Sequence, residues 1–445
     1  MKDIDYLIKQ PENRHLEFKE EVPKKSGLMK TIIAFANGSG GTILIGINDK
    51  TREIIGVNED IIQLEERLSN MIFDSIAPAI FPFFSYIHKN DSNILSIKIP
   101  PGAHKPYYMK SKGIEDGTFI RVGSTNRKAD YAWIEDLRRQ SSNISFDTLI
   151  EHQMETQQLD LSILKKFLDI SQKKMEVKNA SFEKLGLAKK SNGKSHPFIG
   201  GALMFSIDYP EHYQSYFLKV TRYHDTSMTN IIDTKEFYPP LQSQLEQAYS
   251  ACKLFVRKRI EIKSLSRKEE YVIPMSSIRE LLINAICHRD YARKGSGIQV
   301  HIFSDRLEVI SPGVLPGDLT INDIGKGVSE IRNRLIVKIF REYRYIEQLG
   351  SGINRIIDTA KQTEQPLPVF EEVGNFFKVT LYNCPEKKDE LVSFIYEQGE
   401  VAVADMIKRF GWHRNTITKK LRQLEQQGKI IKTGKGPSVR YQFKH

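Results

Sequence analysis

The apolar residues of Leu28-Met29-Lys30-Thr31-Ile32-Ile33-Ala34-Phe35-Ala36 are spaced for a helix, and the Gly-rich turn Asn37-Gly38-Ser39-Gly40-Gly41 leads straight from them into the apolar run Thr42–Ile47. A helical period that gives way to a short continuous apolar run across so brief a turn commits the chain to a helix feeding a buried strand. That is a mixed α/β layer, not a helical bundle or an all-β sandwich. Asn48-Asp49-Lys50 is expected to turn the chain toward a hairpin partner at Ile54-Ile55-Gly56-Val57, with later strands at 94–99 and 117–122 and a helix from about 130. With 445 residues there is material for about three such units. No window approaches 18 consecutive apolar residues, and the start Met1-Lys2-Asp3-Ile4-Asp5 lacks the basic-then-apolar pattern of a secretory leader. Cytoplasmic residence without a membrane partner is therefore expected. Cys252, Cys287 and Cys384 are too dispersed for a zinc cluster or a disulfide framework.

The patterning divides the chain into four expected segments. Residues 1–140 form the first α/β unit. Residues 141–265 form a connecting mixed α/β region, with helices near 161–174 and 238–258, a strand at 214–221 and an exposed polar loop at Lys189–Ser195. Residues 266–384 form a second α/β unit that opens on the amphipathic helix Met275–His288, continues through the β-like runs Ile298–Phe303 and Leu307–Ile310, and turns at Ser311-Pro312-Gly313. Pro385 and the charged run Glu386–Glu390 then lead to a terminal domain over 385–445. The expected class is an α/β (α+β) multidomain protein.

The net charge of +11 is distributed unevenly. Residues 401–445 carry eleven Lys/Arg against two acids, which leaves +9 of that total in the last tenth of the chain. Helical patterns over Leu391–Glu397, Val403–Phe410 and Asn415–Gln427 precede two basic β-like runs flanking Gly434-Lys435-Gly436-Pro437. This whole segment resembles a winged helix-turn-helix domain. Its third helix places Ile417, Leu421 and Leu424 inward and leaves Arg414, Asn415, Thr416, Thr418, Lys419 and Arg422 outward, as a recognition helix requires in the major groove. Lys429, Lys432, Lys435 and Arg440 would meet phosphates and make the affinity salt-dependent. Winged helices also serve protein contacts; the charge favours duplex DNA.

In Arg279–Tyr291, Glu280 and Asn284 lie four residues apart and share one helix face, leaving Leu281, Leu282, Ala285 and Ile286 to anchor the other. A carboxylate can align water at a terminal phosphate while an amide oxygen ligates Mg²⁺. The blocks Glu280-x-x-x-Asn284, His288-Arg289-Asp290-Tyr291, Asp305–Gly313, Ser329-x-x-Arg332-Asn333 and Leu349-Gly350-Ser351-Gly352-Ile353 resemble, in order, the divergent GHKL-type ATPase region found beside Schlafen-type domains and described as RecG-related. The resemblance implies an α/β sandwich binding ATP with Mg²⁺. Glu280 would be the general base, Asn284 the Mg²⁺ ligand, Gly313 the first nucleotide-site glycine, and Gly350 with Gly352 a turn near phosphate. One departure bears on adenine recognition and turnover: where such enzymes carry an Asp that reads the adenine amino group, this chain has Ser311. There is no Gly-x-x-x-x-Gly-Lys-Ser/Thr, which excludes a P-loop motor.

Glu12-Asn13-Arg14-His15-Leu16-Glu17-Phe18-Lys19, Ala34–Lys50 and Phe119–Thr125 resemble the Schlafen AlbA-type domain over most of residues 5–140. In prokaryotes that domain is described as a DNA-binding part of transcriptional regulators. The animal Schlafens that cleave tRNA and rRNA use a Glu-x-x-x-x-Glu pair and a later Asp, and the resemblance carries these onto Glu12, Glu17 and Asp49. Three converging carboxylates would hold Mg²⁺ or Mn²⁺, with Lys19 stabilising charge on the phosphate and Arg121, Arg127 and Lys128 touching the backbone. The alternative is a structural strand pair of Glu17 with Lys19 and a turn at Asp49.

Two functions follow. The leading one is an ATP-responsive, DNA-binding transcriptional regulator acting as a homodimer or higher homo-oligomer. The alternative is a metal-dependent Schlafen-like ribonuclease acting on tRNA or other RNA in antiphage defence.

Overall fold

The computed structural model describes residues 4–89, 91–208, 210–263, 266–317, 319–346, 350–383, 390–426, 430–434, 436 and 439–443. The chain is a mixed α/β protein that separates into two compact units, residues 1–383 and 384–445. No helix among the described residues is long and apolar enough to cross a membrane. Cys252 and Cys287 are buried free thiols, and Cys384 lies outside the described residues.

Unit 1 begins with a four-stranded sheet ordered β1-β2-β4-β3, where β1 is Leu16–Lys19, β2 Gly41–Ile45, β3 Phe83–Lys89 and β4 Ser92–Ile99. β1 and β2 run parallel, joined through helix α1 (Lys25–Asn37), and the remaining pairings are antiparallel. Alternation sorts the apolar residues onto two faces. Ile43 and Ile45 join Leu28, Ile32 and Phe35 of α1 in one core, while Leu44 joins Leu16, Phe18 and Ile94 in another. A Cβ on Gly41 would stand 2.7 Å from the Phe35 ring, so the turn after α1 closes only because that position is glycine. Asn37 is buried; it donates to the carbonyls of Tyr107 (2.8 Å) and Phe119 (2.9 Å) and accepts from Tyr107 N (2.7 Å), tying the end of α1 to the chain beyond the sheet. The hairpin β5 (Phe119–Val122) and β6 (Thr125–Lys128) and helix α2 (Tyr131–Ser141) complete this part. The expected hairpin partner at 54–57 makes only a single bridge, Ile47 with Ile54.

The rest of unit 1 is a six-stranded sheet ordered β8-β7-β9-β10-β12-β11. Its strands are β7 (Leu218–Tyr223), β8 (Ile231–Phe237), β9 (Ile298–Ile302), β10 (Arg306–Pro312), β11 (Val369–Val373) and β12 (Phe376–Tyr382). One core runs from Met154 to Leu381. The stretch 141–265 therefore supplies two of the six strands as well as helices packed on the same core, among them Leu161–Ser171 and α3 (Leu241–Phe255). The polar stretch at 189–195, expected as a loop, is instead a hairpin pairing Ala188–Ser191 with Lys194–Pro197. Its Asn192-Gly193 turn has φ of 50° and 81°, the left-handed geometry that a two-residue hairpin demands. Three helices bear on the site below: α4 (Met275–His288), α5 (Arg334–Glu342) and α6 (Gly352–Gln362).

Unit 2 comprises helices α7 (Glu390–Gln398), α8 (Val403–Phe410) and α9 (Arg414–Gln426), with a sheet ordered β13-β15-β14 from Glu400–Val401, Ile430–Thr433 and Arg440–Phe443. Gly411, at φ 67°, caps α8 and turns the chain toward α9. Leu391, Ile395, Met406, Ile417, Leu421 and Tyr441 lie in its own core.

Candidate nucleotide site and nucleic-acid interface

Helix α4 buries Leu281, Leu282, Ala285 and Ile286, and its Glu280 and Asn284 line a cavity together with Leu281 and Ala285. The same cavity is lined by Ser311 and Gly313 at the end of β10 and by Gly350 and Gly352 at the start of α6. One pocket thus gathers every nucleotide-site residue expected from the sequence. Glu280 Oε2 accepts from Arg355 Nη2 at 3.1 Å, and a Cβ on Gly352 would fall 1.8 Å from Glu280 Oε1, so the start of α6 lies directly against the carboxylate. Gly313 has φ 104°, and a Cβ there would collide with the Arg332 guanidinium. Ser311 donates to Ala285 O at 3.1 Å and keeps its lone pairs for an incoming donor. The turn expected at 311–313 is not formed there: β10 runs through Pro312, and Gly313 still bridges Phe376.

Two buried nitrogens in the pocket, Asn284 Nδ2 and His288 Nδ1, have no hydrogen-bond partner among the described residues. An unmet buried amide beside a cradle without side chains suits a polar, phosphate-bearing ligand. The pocket is tight, at about 150 Å³ against the roughly 300–1,000 Å³ of small-molecule sites, and the loop that follows β10 lines much of it. That loop includes Val314, Leu315, Leu319, Thr320, Ile324 and Val328, none of which was foreseen. Only the glycines at 325 and 327 hint at it in the sequence. Leu349 of the expected Gly-rich turn lies outside the described residues.

Burial, and then Arg332, push His288 down to about 4 from 6.5. The unfolded chain takes up a proton below about pH 6.5 that the folded chain refuses. The stability linked to this group is complete above pH 6.5 and falls as the pH drops from there toward 4. His288→Asn is expected to flatten the pH dependence of urea midpoints between pH 7 and 5 relative to the parent, with a difference of up to about 1.4 kcal/mol per pH unit.

The N-terminal carboxylates do not converge. Glu17 is buried on β1 with Lys19 Nζ at 2.7 Å from Oε1 and Arg121 Nη2 on Oε2. Glu12 Oε1 accepts from Phe18 N at 2.9 Å, and Asp49 is exposed on the turn after β2. No group of three His, Cys, Asp or Glu side chains among the described residues could hold a metal ion, so the expected Mg²⁺ or Mn²⁺ site at Glu12, Glu17 and Asp49 is not formed. The physical reason is that two cations already balance Glu17 and a backbone amide occupies Glu12. Lys19 is likewise spent on Glu17. On the β5–β6 hairpin, Arg127 is exposed and Lys128 pairs with Asp116.

In unit 2, Ile417, Leu421 and Leu424 are buried, while Arg414, Asn415, Thr416, Lys419 and Arg422 are exposed along α9. Lys420 instead lies 4.4 Å from the Trp412 ring centroid. Lys432 is exposed on β14, Arg440 is half-buried on β15, and Lys429 and Lys435 lie outside the described residues.

A mixed α/β chain with a glycine-cradled pocket beside a Glu/Asn helix face, and a separate unit exposing a basic helix, is what these observations define. Residues 12–130 match the family described as Schlafen, AlbA_2, and residues 295–381 that described as "Putative ATP-dependent DNA helicase recG C-terminal"; the chain carries both domains. Glu280 and Asn284 precede the second match, and the fold brings them to it. No curated protein matches the sequence. Among solved structures, the crystal structure of the DIP2311 protein from Corynebacterium diphtheriae is similar at 18% identity, covering 99% of this chain and 96% of that one with a TM-score of 0.46. The solution structure of the N-terminal domain of a "Putative ATP-dependent DNA Helicase RecG-related Protein" from Nitrosomonas europaea is similar at 25% identity, covering 29% of this chain and 94% of that one with a TM-score of 0.23.

Proposed function

We propose that this protein is an ATP-responsive nucleic-acid-binding protein, a DNA-binding transcriptional regulator that acts as a homodimer and reads duplex DNA with unit 2 as a winged helix. The observation that carries the reading is a mechanical link. Arg14, in the Schlafen AlbA-type part, pairs with Glu372 (2.8 Å) and donates to Leu319 O (3.3 Å), while Glu372 in turn accepts from Leu315 N (3.0 Å). Leu315 and Leu319 belong to the loop that lines the pocket, so occupancy of the pocket bears on a contact with the N-terminal domain.

Bound Mg-ATP would supply the phosphates and the divalent cation. The chain's own part is to hold them: Asn284 offers its amide, Gly313, Gly350 and Gly352 let the backbone approach, and the Glu280 carboxylate is placed to hold a proton from water. The four segments proposed from the sequence then act as reader, connector, nucleotide sensor and DNA-binding module.

The test is the anisotropy of a labelled duplex titrated with protein, with and without Mg-ATP. The apparent affinity is expected to shift by about 5–150-fold, the usual range for coupled sites, and the shift should vanish in Asn284→Ala. A DNA affinity indifferent to saturating ATP, or no duplex binding at low ionic strength, would defeat the reading.

A further inference from the structure

Where the Schlafen AlbA-type part meets the six-stranded part of unit 1, there is a second cavity of about 520 Å³, the size of small-molecule sites. Arginines reach it from both sides. Arg14, Arg121 and Arg139 come from the first part, and Arg293, Arg332 and Arg334 from the second. Four of them are spent: Arg14 on Glu372, Arg121 on Glu17, Arg139 on Asp136, and Arg293 on Asp290 at 3.1 Å. The other two form no ion pair among the described residues. Arg334 is exposed and reaches only Asn143, through its side-chain oxygen (2.6 Å) and its carbonyl (3.5 Å).

Arg332 is the more telling. Its Nη2 donates to Val314 O, but its Nη1 is buried and meets no partner among the described residues. Burial pushes its guanidinium down from the ordinary arginine value; Asp290 and Asp136 oppose that, and Arg293 and Arg139 add to it. Arg332 in turn helps to depress Arg14 and His288. A guanidinium with a buried, idle N–H, flanked by Arg293 and Arg139 as well as by Asp290 and Asp136, has donor capacity that an anion can use, and its planar fork matches phosphate oxygens.

We propose that this cleft is a second anion site, distinct from the nucleotide pocket, which takes the phosphate of a nucleotide-sized phosphate ester on Arg332 and Arg334. Val314, Leu315, Pro316 and Glu330 line both cavities, so an anion held here bears on the loop over the first pocket.

The experiment titrates inorganic pyrophosphate into the full-length protein by calorimetry at low ionic strength without Mg²⁺. The parent should bind. Arg332→Gln and Arg334→Gln should each weaken binding by about tenfold, as expected for loss of one charge-assisted contact, and Asn284→Ala should leave it in place. Arg334 is exposed, so its variant keeps the test valid if Arg332→Gln does not fold. Competition by a 5′-phosphorylated trinucleotide but not its 5′-hydroxyl form would assign the phosphate to a strand end. Competition by ADP in the Asn284→Ala background would assign it to a free nucleotide; either result upholds the site. Absence of pyrophosphate binding, or binding lost in Asn284→Ala and untouched in Arg334→Gln, overturns it. Because pyrophosphate is read without ATP or DNA, this outcome is independent of the regulator reading.

Discussion

Glu17→Ala is expected to destabilise unit 1 by about 3–5 kcal/mol, the scale measured when one partner of a buried ion pair is removed. The Glu17 side chain is 9% exposed and that of Arg121 only 3%. Arg121 also donates to Asn13 O (3.2 Å) and Asn126 Oδ1 (2.9 Å) and lies 5.1 Å from the Phe35 ring centroid. Those contacts hold the guanidinium in place, so when the carboxylate is gone it loses its anionic partner while its other contacts keep it from turning away. Lys19 is a third exposed and can turn outward, which limits its share of the cost. Urea unfolding of the parent and the Glu17→Ala variant checks this; a midpoint within error of the parent would show that Arg121 is not dependent on Glu17. Glu17→Gln, which keeps the shape and one acceptor, should lose less. The consequence for function is direct: loss of any activity in Glu17→Ala reports first on folding, and only Glu17→Gln with an intact midpoint could report on chemistry.

The same residue shows what was legible in the sequence. The Leu-Glu-Phe-Lys run is a strand, and Phe-Ala-Asn-x-x-Gly-Gly is the end of a helix turning onto a sheet; both patterns are local, and local periodicity reports them. Whether Glu17 faces two other carboxylates or two cations depends on Arg121, 104 positions away, which no local pattern encodes. The pocket behaved differently. Glu280 and Asn284 are joined by helical spacing, and the glycines at 313, 350 and 352 were marked by resemblance, so the gathered set could be named in advance. The loop that lines it has no period at all, and Arg332 stood out only as part of the Ser329-x-x-Arg332-Asn333 block, with no role of its own. The strands at 231–237 and 369–373 also gave little signal. Both are sheet edges with mostly exposed or half-buried residues, so their apolar alternation is weak. The Asn192-Gly193 hairpin was missed because its strands are polar, although its turn residues carried the right signal.

Removing two charges from α9 is expected to have the largest effect on binding. Arg414 and Lys419 lie on the exposed side of a helix whose opposite side is locked into the unit 2 core by Ile417, Leu421 and Leu424, so truncating them leaves packing intact. Surface substitutions of this kind usually change stability by less than about 0.5 kcal/mol. If α9 enters the major groove, one lost base-edge contact is worth about 1–3 kcal/mol, and one lost phosphate contact lowers the salt slope by about 1. The double variant Arg414→Ala with Lys419→Ala should therefore bind duplex DNA at least tenfold more weakly, with a shallower dependence of log K on log salt and an unchanged unfolding midpoint. Lys420→Ala provides the contrast, because that ammonium is held over Trp412 and should matter more to unit 2 than to DNA. Equal losses in the two variants, or an unaltered salt slope in the double variant, would mean that this helix face does not meet the duplex.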